Sequence, residues 1–312
     1  MIPSRAKQTM CTEFQQLLIG FATELDTQTT PTVKQLRQRY QEQVLIFNGP
    51  VDDSIATRDL SLTGRDGNSI KLRLFTPPSR VGPLPTCLFI HGGGWVVGDL
   101  DTHAGICADI VRQTGGQVMA IDYRLSPETI FPDALHDCID ALRYMVSHAD
   151  ELAIHHDQIS LMGDSAGGNL CAALAMAYRG SDINIASQVL IYPGLSADNS
   201  LPSFDENEDI PGLSRSDMTY YFQSYTGSAI LPDKLSAPLT ATDFSSLPKC
   251  YISVAEFDPL RDDGIEYAHK LQAAGTPAVV NIEKGLGHSW LWVRNRSAVA
   301  NHAMRRACEY LK

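Results

Sequence analysis

The 312-residue chain has no C-x-x-C pair, no basic run and no apolar stretch near the roughly 18 residues that cross a bilayer. Its seven cysteines (Cys11, Cys87, Cys107, Cys138, Cys171, Cys250 and Cys308) are scattered and odd in number. Neither a disulfide framework nor a zinc knuckle is expected, and reduced, buried thiols point to a cytoplasmic, reducing compartment. The shortage of positive charge, 25 basic against 36 acidic side chains for a formal charge of −11, excludes nucleic acid as a partner and serves solubility. A secretory leader is not expected. Arg5 and Lys7 precede Leu17-Leu18-Ile19, but Glu13, Gln15 and Gln16 interrupt the apolar run and no A-x-A site follows. What the chain does have is 44% hydrophobic residues with ordinary glycine and proline, enough for a sizeable core. That excludes collagen-like, low-complexity and disordered readings.

The N-terminus reads as helix. Phe14, Leu17, Leu18, Phe21, Ala22 and Leu25 recur on one helical stripe, Pro31 ends it, and residues 33–47 form a second, weaker helix. The stripe can pack on the rest of the chain or on another copy, so monomer and homodimer both stay open. Beyond residue 55 the period changes. Residues 70–74 alternate apolar and polar, as a half-exposed antiparallel strand does. Short apolar runs follow at 87–90, 118–121, 159–162, 189–192, 251–255 and 279–282. Helical stretches lie between most of them, at 103–114, 133–149, 167–179 and 262–274. Strand and helix in alternation predict an α/β fold with a mainly parallel sheet covered on both faces. Residues 195–238 break the alternation, being loop-rich and then helical at 216–225, and read as an insertion.

Two glycine-rich turns follow strands. Gly163-Asp164-Ser165-Ala166-Gly167 is a G-x-S-x-G between a short strand and an Ala-rich helix, the context in which the serine becomes an exposed nucleophile. His91-Gly92-Gly93-Gly94-Trp95 follows residues 87–90, and its glycines let backbone N–H groups reach a developing negative charge. Gly93, Gly94 and Ala166 are the expected oxyanion donors. A dinucleotide turn is the competing reading of the glycines; its G-x-G-x-x-G spacing fails at Val97.

A serine nucleophile needs a base, and on such a fold the chain order is Ser, acid, His. Three histidines follow Ser165. His269 and His302 lie in helical stretches, whereas His288 sits in a glycine-rich loop after a strand and is the expected base. Asp258, just past a strand and held by Pro259, is preferred over Glu256 as the acid that orients it. Asp262 and Asp263 read as helix caps. His91, His155 and His156 lack metal-ligand spacing, so no metal and no organic cofactor is called for.

These motifs, with Gly98-Asp99-Leu100-Asp101-Thr102-His103 and Asp122-Tyr123-Arg124-Leu125-Ser126-Pro127-Glu128, resemble those of the bacterial hormone-sensitive-lipase-like carboxylesterases of the α/β-hydrolase fold, and among them the cytoplasmic acetyl esterases. The resemblance covers roughly residues 55 to 312 and is weaker before that. It implies a catalytic triad of Ser165, Asp258 and His288, and a helical cap made of residues 1–50 and 195–238 over a core of 51–194 and 239–312. It implies a serine carboxylesterase acting through an acyl-enzyme on small esters, acetyl to about hexanoyl. Amidase, formamidase and thioesterase activity are the alternatives, with a non-catalytic receptor behind them. Ser126 stands where Ala is usual, and Trp290 where Phe is common. Trp95, Phe204, Tyr221, Phe222 and Trp290 are expected to wall the substrate pocket. Asp101, His103, Asp122, Tyr123 and Glu128 are expected to brace the site.

Overall fold

The computed structural model describes residues 2–22, 31–48, 51–79, 81–227 and 233–312. Leu25, and the side chains of Phe21 and Ala22, lie outside it. Helices α1 (Ser4–Thr9), α2 (Thr12–Ala22) and α3 (Val33–Asn48) come first, then strands β1 (Ala56–Thr63), β2 (Ser69–Thr76) and β3 (Leu84–Ile90). Next are α4 (Ala104–Thr114), β4 (Gln117–Asp122), α5 (Asp133–Ser147), α6 (Ala149–Leu152), β5 (Ile154–Asp164), α7 (Ala166–Ala177) and β6 (Ile185–Ile191). After α8 (Pro202–Glu206) and α9 (Arg215–Thr226) come β7 (Lys249–Phe257), α10 (Arg261–Ala273), β8 (Ala278–Gly287) and α11 (Ala298–Glu309).

The strands form one sheet in the order β1-β2-β4-β3-β5-β6-β7-β8, the first two pairings antiparallel and the rest parallel. The six apolar runs each lie in a parallel strand. Leu88, Phe89 and Ile90 are fully buried because helices cover both faces of the sheet. At about 1.5–3 kcal/mol for each large apolar side chain removed from water, such strands fix the register firmly. Strand β2 alternates exposed and buried positions, as its pattern requires. Strand β1 went unread: Ala56-Thr57-Arg58-Asp59-Leu60-Ser61 is almost wholly exposed, so it carries no apolar run. The run at 279–282 is a strand but not a buried one. Val279 and Ile282 are about 40% exposed because β8 is the sheet's last strand.

Register places the chemistry. Ile90 of β3 lies opposite Gly163 of β5, so the loops after β3 and β5 begin side by side. Phe257 of β7 lies opposite Gly287 of β8, so the next residues, Asp258 and His288, start as neighbours. Side chains thus converge at the carboxyl ends of parallel strands, where open α/β sheets bind ligands.

The N-terminal helices pack through Phe14, Leu17 and Leu18 into the same buried cluster as the short turn Trp290–Val293 and α11. Between β6 and β7, α9 starts on a reciprocal capping box of Ser214 and Asp217. Phe204, Leu213 and Met218 from this stretch form a small cluster on Leu260. Asp262 and Asp263 do not cap α10, whose N-cap is Leu260. They reach outward instead. Asp262 accepts from Ser203 N–H at 2.9 Å, and Asp263 accepts from Leu195 and Ser196 N–H at 2.7 and 2.8 Å, fastening the start of the 195–238 stretch to α10.

Candidate active site

Ser165 joins β5 to α7 with φ 52° and ψ −117°, a conformation that L-residues rarely adopt. It is held by its own backbone: Ser165 N–H donates to Ile191 O at 2.8 Å, and Ser165 O accepts from Asn169 N–H at 3.1 Å. The turn requires a glycine beside it. A Cβ at Gly167 would lie 1.9 Å from Ile90 O, so any larger residue would drive α7 off β3.

His288 is the first residue past β8. Its Nε2 lies 3.0 Å from Ser165 Oγ and its Nδ1 2.8 Å from Asp258 Oδ2. Asp258 is fully buried, and its other oxygen accepts from Leu260 N–H at 2.8 Å. A carboxylate only accepts, so Nδ1 of the neutral ring carries the proton and Nε2 is left to accept from the serine hydroxyl. Tyr192 stands 4.8 Å from the His288 ring, centroid to centroid, and closes its flank. The rejected candidates lie elsewhere. Glu256 pairs with Lys284 and accepts from Gly285 N–H, and His269 and His302 are exposed on α10 and α11.

The loop after β3 is anchored from beneath. Asp164 Oδ1 accepts from Gly92 N–H at 2.9 Å, with His103 Nε2 at 3.5 Å. Burial opposes charge on Asp164, but the His103 imidazole and the Gly92 N–H together hold its carboxyl below the usual carboxylate range. His91 is pushed down to about 4 by burial and by facing His103. It is therefore a neutral ring that donates from Nδ1 to Gly92 O at 2.8 Å and stacks on Tyr123, whose hydroxyl donates to His91 O at 2.9 Å. With Gly92 committed to Asp164, Gly93 (φ 116°) and Gly94 (φ 58°) follow with left-handed backbones and line the cavity beside Ser165 and Ala166. Ala166 opens α7, where helix geometry leaves the N–H groups without partners inside the helix.

The cavity over Ser165 measures about 410 Å³. Trp95 and Tyr221 line it as expected, with Leu36, Leu213 and Met218 among the apolar walls. Tyr221 sits so close to Gly94 that a Cβ there would be 2.3 Å from its ring, and burial pushes its phenol up to about 12. The other three aromatics do not line the cavity, and each has a cause. Ser289, at φ 69°, turns the chain, so Trp290 enters the core and packs edge-on against Tyr192 at 5.8 Å. Phe222 follows Tyr221 on a helix, about 100° round, and meets the edge of Trp95 instead. Phe204 is buried against Met218 and Leu260 under the Arg215 guanidinium. Trp95 itself stacks on Tyr225 at 4.4 Å.

Of the bracing residues, Asp101 pairs with Arg73, and Glu128 makes a two-oxygen pair with Arg37 at 2.7–2.8 Å. Burial raises the Asp122 carboxyl. Three contributors went unread. Asp164 was visible inside the serine motif, but its load from Gly92 and His103 depends on the fold. Arg37 of α3 also donates to Val96 O at 2.8 Å and Ser126 O at 3.1 Å, tying the N-terminal helices to the glycine loop. Asn169 gives both amide hydrogens to Gly194 O and Ser236 O, each at 2.9 Å, and so clasps the two ends of the 195–238 stretch. No motif announced Arg37 or Asn169. Among the described residues, one group with metal-ligand atoms within 4.8 Å of one another is Asp66, Asp133 and His136. Arg124 already lies 2.9 Å from Asp66 and 3.4 Å from Asp133, supplying the positive charge there. Among the described residues no helix is long and apolar enough to cross a membrane.

Comparison with known proteins shows the family and the fold. Residues 87–292 match the model of an α/β-hydrolase fold family. The chain is 35% identical over 287 residues to an esterase, LipI, of Mycobacterium tuberculosis, covering 90% of this chain and 88% of that one. It is 34% identical over 260 residues to an ethyl acetate hydrolase of Pseudomonas putida, covering 82% of each. Among solved structures, a hyperthermophilic esterase from Pyrobaculum calidifontis superposes with a TM-score of 0.87 at 30% identity, covering 97% of this chain and 98% of that one.

Proposed function

The chain belongs to the α/β-hydrolase family, in its hormone-sensitive-lipase-like carboxylesterase branch, and on that premise we propose that this hydrolase is a serine esterase cleaving short-chain acyl esters. The observation that carries the reading is the unbroken series Ser165 Oγ, His288, Asp258 at 3.0 and 2.8 Å, set at the floor of a cavity of about 410 Å³. Ser165 attacks the ester carbonyl as Nε2 of His288 takes its proton. Asp258 keeps Nδ1 protonated and stabilises the imidazolium without receiving the proton. The N–H groups of Gly93, Gly94 and Ala166 bind the oxyanion, each donor worth on the order of a hundredfold or more in rate. His288 then protonates the leaving alcohol. Water, activated by the same ring, attacks the acyl-enzyme and frees Ser165.

The helices of 1–50 and 195–238 serve as the cap. The preference for acetyl to about hexanoyl chains rests on the modest cavity volume and on Tyr221 closing over Gly94. The cytoplasm is the proposed compartment, supported by seven unpaired cysteines, six of them buried. The test is a kinetic series on p-nitrophenyl esters from C2 to C12 beside an acetanilide and an acetyl thioester. Activity that peaks at or below C6 and exceeds that on the amide and thioester supports the reading. A faster amide or thioester, or a maximum at C10 to C12, overturns it.

A further inference from the structure

The acid excess of this chain gives most of its arginines a carboxylate: Arg37, Arg65, Arg73, Arg124, Arg261 and Arg294 all hold one within 3 Å. Arg39 is different. It is half-buried, it lines the cavity over Ser165, and among the described residues it has no carboxylate, hydrogen-bond or ring partner. It sits on the face of α3 that also gives the cavity Leu36, Tyr40 and Gln43, at the spacing of one helix side. The neighbouring Arg37 points elsewhere, to Glu128 and Val96.

The other charged groups of the lining are engaged. Asp164 is held by Gly92 N–H beside His103, and Asp217 accepts from the N–H and hydroxyl of Ser214 at 2.8 and 2.6 Å. A guanidinium stays charged at any working pH and presents a planar fork that matches a carboxylate. With no partner among the described residues, a permanent cation on a largely apolar cavity is left to water or to what enters the cavity. Tyr40 lines the same wall, and burial, then the nearby Asp164, raises its phenol well above the ordinary value, so it remains a neutral hydrogen-bond donor.

We propose that Arg39 is a specificity-determining residue that binds a carboxylate carried by the substrate, so that the preferred esters are anionic: half-esters of dicarboxylic acids, or esters of an alcohol that bears a carboxylate. The inference rests on the esterase reading and sharpens its substrate class. It also gives a cation that has no partner among the described residues a role in a protein whose net charge otherwise repels anions.

The test compares kcat/KM for matched pairs. Mono-p-nitrophenyl glutarate against p-nitrophenyl pentanoate reads a carboxylate on the acyl side; 4-acetoxybenzoate against phenyl acetate reads it on the alcohol side. In one pair the unaltered protein should favour the anionic member. Arg39→Ala should lower its kcat/KM about tenfold to a hundredfold, the range of a charge-assisted hydrogen bond, mainly through KM. The neutral member should change less than about threefold, Arg39→Lys should retain part of the preference, and added salt should weaken it. If the neutral esters are cleaved but neither pair shows a preference that depends on Arg39, the inference is overturned and the esterase reading stands. If no ester is cleaved, both fall.

Discussion

The carboxyl edge of the sheet and the helices that lie over it are built by different rules. At the sheet edge, the partners of the chemistry are consecutive with paired strand residues: Gly163 faces Ile90, and Phe257 faces Gly287, so Ser165, Asp258 and His288 inherit their places from backbone register. Over it, α2 is buried in the core through Phe14, Leu17 and Leu18, and the remaining attachment is made by single side chains. Arg37 ties α3 to the glycine loop, Asn169 and Asp263 tie down the 195–238 stretch, and Phe204, Leu213 and Met218 supply local apolar contact on Leu260. Parallel strands buried on both faces move only with the whole core, whereas the 195–238 stretch, held by a few polar bonds and a small apolar cluster, can shift without unfolding it. On the proposed reading, the difference assigns reaction type to the sheet edge and substrate choice to the residues that cover it.

If that division holds, changes at the sheet edge abolish turnover, while changes above it alter preference or stability. The largest expected effect is that of Ser165→Ala, a loss on the order of 10⁶-fold in kcat, as for other serine hydrolases, with an unaltered far-UV spectrum. A variant that keeps a tenth of the activity on p-nitrophenyl acetate contradicts the assignment of the nucleophile. Asp258→Asn comes next, at about 10⁴-fold, because the amide stabilises the wrong tautomer of His288; a loss under tenfold would return Glu256 to consideration.

Asp263 gives a covering-side test that should spare the chemistry. Burial pushes its carboxyl up to about 7, although two backbone N–H groups favour the charged form. An unfolded aspartate titrates near 3.9. Between these values the folded chain keeps a proton that the unfolded chain has lost, so this group's stabilising contribution is complete below about pH 4 and is lost as pH rises to about 7. Asp263→Asn keeps an acceptor for Leu195 and Ser196 and removes the titration. Relative to the variant, the unaltered protein should lose roughly 4 kcal/mol of unfolding free energy from pH 4 to 7.5. Urea midpoints for the two proteins that stay parallel across that range would show that Asp263 does not titrate there. The smallest effect is expected for Tyr221→Ala. Removing the ring beside Gly94 should raise kcat/KM for octanoyl over acetyl esters a few-fold, read on the same ester series; an unchanged ratio removes Tyr221 from the chain-length boundary.

The same division decided what the sequence disclosed. Ser165, His288 and the glycine loop were legible because each follows an apolar run, and a strand end is a place that sequence can mark. Asp258 was separable from Glu256 because one more residue carries the chain past the strand. Trp290 is not legible as core because it stands two residues from His288 in sequence, while the left-handed turn at Ser289 sends it away from the cavity. The places of Phe222 and Phe204 are not legible because an aromatic on a covering helix serves the core or the cavity depending on a rotation that composition does not record. Strand β1 escaped because its neighbours leave it exposed, so burial wrote no pattern into it. Arg37, Arg39 and Asn169 carry no motif because their roles depend on contacts 25 or more residues away in the chain, or on the cavity itself.

The central claim is that Ser165, activated by His288, is the nucleophile, and covalent labelling tests it most directly. The protein is treated with a fluorophosphonate ester, digested and mapped by mass spectrometry, beside Ser165→Ala and His288→Ala. One phosphonyl group on the peptide carrying Ser165, absent from the first variant and formed at least a thousandfold more slowly in the second, is the predicted result. Labelling at another residue, or labelling that survives in Ser165→Ala at the original rate, contradicts the account.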